Sequence, residues 1–324
     1  MRYFIRQLFI IIFLGTGLFL NASSITEERD ALFEPLLSNN NLRMRLLESG
    51  KKIPEDFDYS VLLDNDTDVL LIGEEHHNDA AARDVNVIIK DLKQRGVALK
   101  YAGSEFLLSS EQPYLDAYYR GEISYTDFKK KCRRNGKRVF IAEIAKRYKV
   151  RPIGLDLPKA QEDYNWAMSK EGLTARNQAW TDIIMSLKQK DPKAKMIVYG
   201  GAVHTATFSK YYPTVAQMLN KNNIKTKTLE FVYYQDNLWK QLNIKSNADV
   251  LFTIPPELKQ YIQADYVILN IDNDLSQQDK AKLRQLMNDN LKRFNGDDMY
   301  SDACFNDPDN PVCSIIINSS RSKK

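Results

Sequence analysis

Two short apolar runs, Val69-Leu70-Leu71-Ile72 and Met196-Ile197-Val198-Tyr199, are each followed by glycine and then by histidine: Gly73-Glu74-Glu75-His76 and Gly201-Ala202-Val203-His204. A continuous apolar run of this length, closed by a turn residue, is the pattern of a strand buried on both faces. Such strands belong to parallel sheets with helices on either side. The intervening sequence agrees. Ala81, Val85, Ile88, Ile89 and Leu92 form a helical stripe that ends at Gly96. A strand is expected within Val97–Phe106, helices over 124–149, and a strand at Arg151–Leu155. A helix is expected from Thr174, with Trp180, Ile183, Ile184 and Leu187 as its stripe, and further strands at Ile224–Phe231 and Tyr266–Asn270. The alternation predicts an α/β fold: a mostly parallel central sheet flanked by helices, in a single main domain with a less regular C-terminal extension.

The chain divides on composition. Residues 1–22 carry Arg2 and Arg6, an apolar run from Leu8 to Leu20 and then Asn21-Ala22-Ser23-Ser24, the layout of a secretory signal peptide. The run is shorter than the roughly 20 residues that span a bilayer as a helix. Residues 23–65 read as a helical lead-in, 66–232 as the α/β core, and 233–324 as a C-terminal extension with a cysteine loop. Export to the periplasm or the medium is the expectation, with membrane contact only through the signal segment. Cys304 and Cys313 bracket a turn-rich stretch and could close a loop in an oxidising compartment. Cys132, between Lys131 and Arg133, is left over and has no assigned role.

The 46 basic and 42 acidic residues give a net charge of +4, which does not argue for nucleic acid. The run Lys129-Lys130-Lys131-Cys132-Arg133-Arg134-Asn135-Gly136-Lys137-Arg138 reads either as a solvated helix face or as a contact for anionic lipid or polysaccharide.

Ligands of open parallel sheets bind beyond the carboxyl ends of the strands. The three histidines of the chain all fall at such ends. Glu74, His76 and His77 follow the first strand, Glu105 closes the second, Asp156 the third, and His204 follows the fourth. Arg176 and Asn177 lie near the start of the helix that feeds the fourth strand, on the same rim. Imidazole and carboxylate together suit a divalent transition metal, with Glu74, His76, Glu105 and His204 as its ligands. A metal-bound water becomes a nucleophile near neutral pH, one carboxylate can act as base, and Arg176 can steady an oxyanion or grip a substrate carboxylate. His77 and Asn177 fall to the ligand-binding fringe. Blander readings stand beside these: Glu74 and His204 also suit helix starts, Glu105 a solvated strand end, and Asp156, before Leu157-Pro158, a turn. His-Glu-x-x-His, a phosphate-cradling glycine loop and Gly-x-Ser-x-Gly do not occur.

In order, Gly73-Glu74-Glu75-His76, Ser104-Glu105, Ala175-Arg176-Asn177 and Gly201-Ala202-Val203-His204 resemble the motif set of the Tiki/TraB, ChaN-like and erythromycin-esterase-like superfamily. The likeness spans residues 66–232 and is nearest to the ChaN-like branch. It implies three activities found among such proteins: metal-dependent proteolysis, histidine-centred opening of a macrolide lactone, and haem binding in the envelope. The leading expectation is an exported, metal-assisted hydrolase of an ester or amide bond, acting on a small-molecule or peptide substrate. Its catalytic set is Glu74, His76, Glu105, Arg176 and His204. The alternative is an envelope haem- or iron-binding protein without turnover, for which Tyr118, Tyr119, Tyr211 and Tyr212 offer further ligands. A third is an inactive relative that serves as a binding platform.

Overall fold

The strand Val69–Glu74 is buried along its whole length and forms the middle of the sheet. In the computed structural model, residues 31–74, 79–132, 140–233, 237–246 and 248–270 are described. The strands are β1 (Gly50–Lys52), β2 (Val69–Glu74), β3 (Leu99–Leu108), β4 (Arg151–Asp156), β5 (Lys195–Gly201), β6 (Thr226–Tyr233), β7 (Val250–Thr253) and β8 (Tyr266–Asn270). They form one sheet in the order β1-β7-β8-β6-β2-β5-β3-β4. The stretch from β8 to β4 is parallel, whereas β7 pairs antiparallel with both β8 and β1. The expected mostly parallel α/β sheet is therefore the observed one. The lead-in adds an edge strand that periodicity did not show, because β1 is only three residues long. The later segment adds β7, and β8 falls on the expected strand Tyr266–Asn270.

Alternation along β2 explains why both faces are covered. Leu70 and Ile72 join a core cluster with Val85, Ile88, Ile89 and Leu92 of α1 (Asp79–Gln94). Val69 and Leu71 point the other way, to Trp180, Ile184 and Leu187 of α5 (Lys170–Lys190). Between them in sequence lie α2 (Gln112–Arg120), α3 (Tyr125–Lys131) and α4 (Phe140–Arg147). After β5 come α6 (Ala202–Thr205) and α7 (Val215–Lys221). A third cluster, including Phe33, Leu46, Trp239, Phe252 and Leu269, packs the β7–β8 end. Cys132 is in no disulfide and is buried, 3% exposed, in the first cluster. Cys304 and Cys313 lie outside the described residues, as does the proposed signal segment.

The outer strand β4 does not present a bare edge. The Gln112 side chain donates to Pro152 O at 3.1 Å and accepts from Gly154 N–H at 2.9 Å. One amide thus supplies what a neighbouring strand would, which blunts the edge against pairing with another chain. Arg151 adds a forked pair to Asp116, both contacts at 2.7 Å.

Candidate active site

The carboxyl ends of β3, β4 and β5 and the second turn of α5 converge on one buried polar array. The start of α5 sets the geometry. Ser169 Oγ accepts from Gly172 N–H at 3.0 Å, so the helix begins at Lys170 rather than at Thr174. That cap places Arg176 and Asn177 just inside the rim.

Arg176 is 4% exposed and almost fully hydrogen-bonded. Its Nε donates to Asp156 Oδ1 at 2.8 Å and its Nη2 to Asp156 Oδ2 at 3.0 Å. Nη2 also donates to Glu105 Oε1 at 2.5 Å, and Nη1 to Ala167 O at 3.4 Å. Burial disfavours the guanidinium, but Glu105 and Asp156 hold its pKa above the ordinary value. The other carboxylate oxygen of Glu105 accepts from Gly201 N–H at 2.6 Å. Glu105 is thereby oriented by β5 on one side and by α5 on the other.

His204 is fully buried. Asn177 Nδ2 donates to Pro213 O at 2.8 Å, which leaves Asn177 Oδ1 facing His204 Nδ1 at 2.5 Å. An amide oxygen only accepts, so Nδ1 carries the proton and Nε2 of the neutral ring is a bare acceptor. Nε2 lies 3.5 Å from Glu105 Oε1 and has no hydrogen-bond partner among the described residues. Burial and the charge of Arg176 hold the His204 pKa below its usual value, against the opposite pull of Glu105 and Asp156. Trp180 packs on the ring, with centroids 4.6 Å apart.

Two glycines make this approach possible. A Cβ on Gly200 would lie 2.8 Å from Trp180 Cη2 and 3.0 Å from Glu105 Oε2. A Cβ on Gly73 would lie 2.4 Å from Thr205 Oγ1 and 3.0 Å from Ala202 Cα, the helix that carries His204. The glycines that end both apolar runs therefore serve close packing rather than an unusual backbone angle.

The expected residues are not all gathered at one point. Glu105, Arg176, Asn177 and His204 meet, and Asp156 joins them. Glu74 is buried and pairs in register with Gly201. Strand alternation, however, puts it on the face of Leu70 and Ile72, opposite Gly73 and the array. His76 and His77 lie outside the described residues. Of the expected metal set, Glu105 is engaged by Arg176 and Gly201 and His204 Nδ1 by Asn177, while His76 lies outside the described residues. Among the described residues no three His, Cys, Asp or Glu side chains are arranged to hold a metal ion. Within this array only His204 Nε2 is open, so these residues do not fit a metal by themselves. The Arg176 guanidinium is directed at Asp156, Glu105 and Ala167 O. The sequence carried a signal for Asp156, a strand-end acid on the same rim as Glu105, and one for Trp180, four residues beyond Arg176 on the same helix face.

Fold and array together define an α/β protein with a carboxylate–arginine–histidine cluster at the carboxyl edge of its sheet. Residues 64–195, less than half of the chain, match the family model described as haem-binding uptake, Tiki superfamily, ChaN. Three of the four motifs lie within that match, and Gly201-Ala202-Val203-His204 lies beyond it. Among solved structures, a succinoglycan biosynthesis protein matches with 11% identity and a TM-score of 0.51, over 72% of this chain and 96% of that one. An erythromycin esterase mutant in its open conformation matches with 9% identity and a TM-score of 0.50, over 68% and 97%. These two share the fold. ChaN of Campylobacter jejuni, in a structure of cofacial heme binding, matches with 14% identity and a TM-score of 0.39, over 68% and 93%. The chain also spans 39% of the length of the RRSP toxin effector domain structure from Vibrio vulnificus CMCP6, at 20% identity, a TM-score of 0.41 and 65% of this chain. No curated protein sequence matches it.

Proposed function

We propose that the chain hydrolyses an ester or amide bond by acid–base chemistry centred on Glu105 and His204. The observation that carries this reading is the buried Nε2 lone pair of His204, turned toward Glu105 Oε1 at 3.5 Å. Two acceptors that face each other call for a proton between them, or for a donor such as water. Water held there gives up a proton to the pair as its oxygen bonds to the substrate carbonyl carbon. When the carbon–oxygen or carbon–nitrogen bond breaks, the same proton passes to the departing alkoxide or amine. Arg176 is a positioning residue in this scheme. It fixes Glu105 through Oε1 and is itself fixed by Asp156.

Residues 1–22 direct the chain out of the cytoplasm in this reading, so its substrate is a small molecule or peptide of the periplasm or medium. A screen of chromogenic esters and peptides, run beside Glu105→Gln and His204→Asn, tests the proposal. Loss of about 10²-fold or more in either variant is expected. Full turnover in both variants would sink it.

A second reading, haem binding without turnover, is favoured by the match of residues 64–195 to a family model described by haem-binding uptake. In this reading the axial ligand comes from His76 or His77 rather than from His204. A Soret band on adding haem, lost in His76→Ala/His77→Ala and kept in His204→Asn, would favour this reading over hydrolysis.

A further inference from the structure

We infer that a cavity at the β1–β7 end of the sheet binds a small apolar carboxylate with a hydrocarbon part of about six carbons. The register of the two strands builds it. They run antiparallel, with Gly50 opposite Phe252 and Lys52 opposite Val250. Residues directly opposite one another share a face, so these four positions lie on one side of the ribbon. Gly50 puts no side chain there, and the Phe252 ring uses the space. A Cβ on Gly50 would lie 2.5 Å from Phe252 Cε1 and 2.9 Å from Cδ1. Trp239 packs on the same ring with centroids 5.4 Å apart. Above the ribbon remains a space of about 150 Å³, walled by Leu47 of the helix Asn40–Ser49 and by Ile244. An apolar cavity of about this size takes a benzene-sized group.

The lining selects the ligand. Leu47, Ile244, Val250 and Phe252 offer hydrocarbon only. The charged residues that line the cavity are Lys52 and Lys245, and among the described residues no acidic side chain does. Ser246 Oγ serves its own turn, donating to Ala248 O at 2.7 Å and accepting from Ala248 N–H at 3.2 Å. The polar end of a ligand therefore falls to a lysine. Lys245 is exposed, whereas Val250 and Phe252 are buried, which puts positive charge at the mouth and hydrocarbon at the floor. A carboxylate with a short apolar tail complements both. The strands β8, β6 and β2 stand between β7 and β5. At the usual strand spacing that puts the cavity roughly 19 Å from β5 and the His204 array. It is a second site, and it stands whether or not the chain is a hydrolase.

Titration of the full chain with sodium hexanoate, followed at the Gly50 amide resonance, tests this. A saturable shift is expected. Each buried methylene contributes about fourfold in affinity, so butanoate should bind about fifteenfold more weakly. Hexanol, which has the tail without the charge, should bind about fivefold more weakly. Lys245→Gln should lose about fivefold for hexanoate and nothing for hexanol. Gly50→Ala, whose methyl group displaces the Phe252 ring, should weaken hexanoate about tenfold or more. If that variant does not fold, Lys245→Gln, a change at an exposed position, carries the test. No saturable shift, butanoate or hexanol binding as tightly as hexanoate, or an equal loss of hexanol in Lys245→Gln would overturn the proposal. So would unchanged binding in folded Gly50→Ala.

Discussion

Asp156 holds Arg176 by two parallel hydrogen bonds, Nε to Oδ1 at 2.8 Å and Nη2 to Oδ2 at 3.0 Å, and both residues are buried. A guanidinium in that setting has no water to fall back on. Asp156→Ala should therefore destabilise the fold by about 3–5 kcal/mol, the usual penalty for stranding one half of a buried ion pair. Urea unfolding followed by circular dichroism measures it. A loss below 1 kcal/mol, on the order of an exposed pair, would show that the array is wetter than its burial implies.

His204 gives stability a definite pH dependence. Its pKa is held below the ordinary 6.5 in the folded chain, mainly by burial. As the pH falls through 6.5, the unfolded chain takes up this proton first, so the contribution of His204 is full above that value and declines below it. Unfolding free energies between about pH 7.5 and 5.5 should fall more steeply for the parent chain than for His204→Leu. With only three histidines in the chain, ¹⁵N spectra of the ring nitrogens should also show His204 protonated on Nδ1. Asn177→Asp should raise its pKa, because a carboxylate would then face that nitrogen.

Gly200→Ala is expected to act through crowding. Its methyl group would press on Trp180 Cη2 and on Glu105. Overpacking of this kind costs about 1–3 kcal/mol. Trp fluorescence should change together with the loss of turnover, and an unaltered spectrum with full activity would contradict the packing described.

Gln112→Leu should uncover the outer strand. Gly154 N–H and Pro152 C=O would lose their amide partner, at about 1–3 kcal/mol. Sedimentation should then show concentration-dependent self-association absent from the parent chain.

The sequence showed the parallel sheet and most of the rim, for a physical reason. Strands buried on both faces are written as apolar runs, and residues at their ends share an edge whatever the connections do. Arg176 and Asn177 were readable because a helix that feeds a parallel strand starts on the same edge. What stayed hidden depends on side-chain direction and on short elements. Glu74 is one residue past Gly73, and that single step of alternation turns it to the other face. Asp156 reads as a turn acid until Arg176 is seen between its oxygens. β1 is too short to carry a period, and α5 starts a turn before its apolar stripe because Ser169, not a hydrophobe, begins it.

The spatial order of the strands also fixes a timetable. β2 is made early, yet its two neighbours are residues 196–201 and 226–230, more than a hundred positions later. During synthesis its backbone has no partner, and its apolar side chains can only cluster locally with α1. Contacts this distant along the chain slow folding. Residues 64–195 taken alone would omit nearly all of β5, and β6 and β8 with it, so the matched segment is shorter than the unit able to fold.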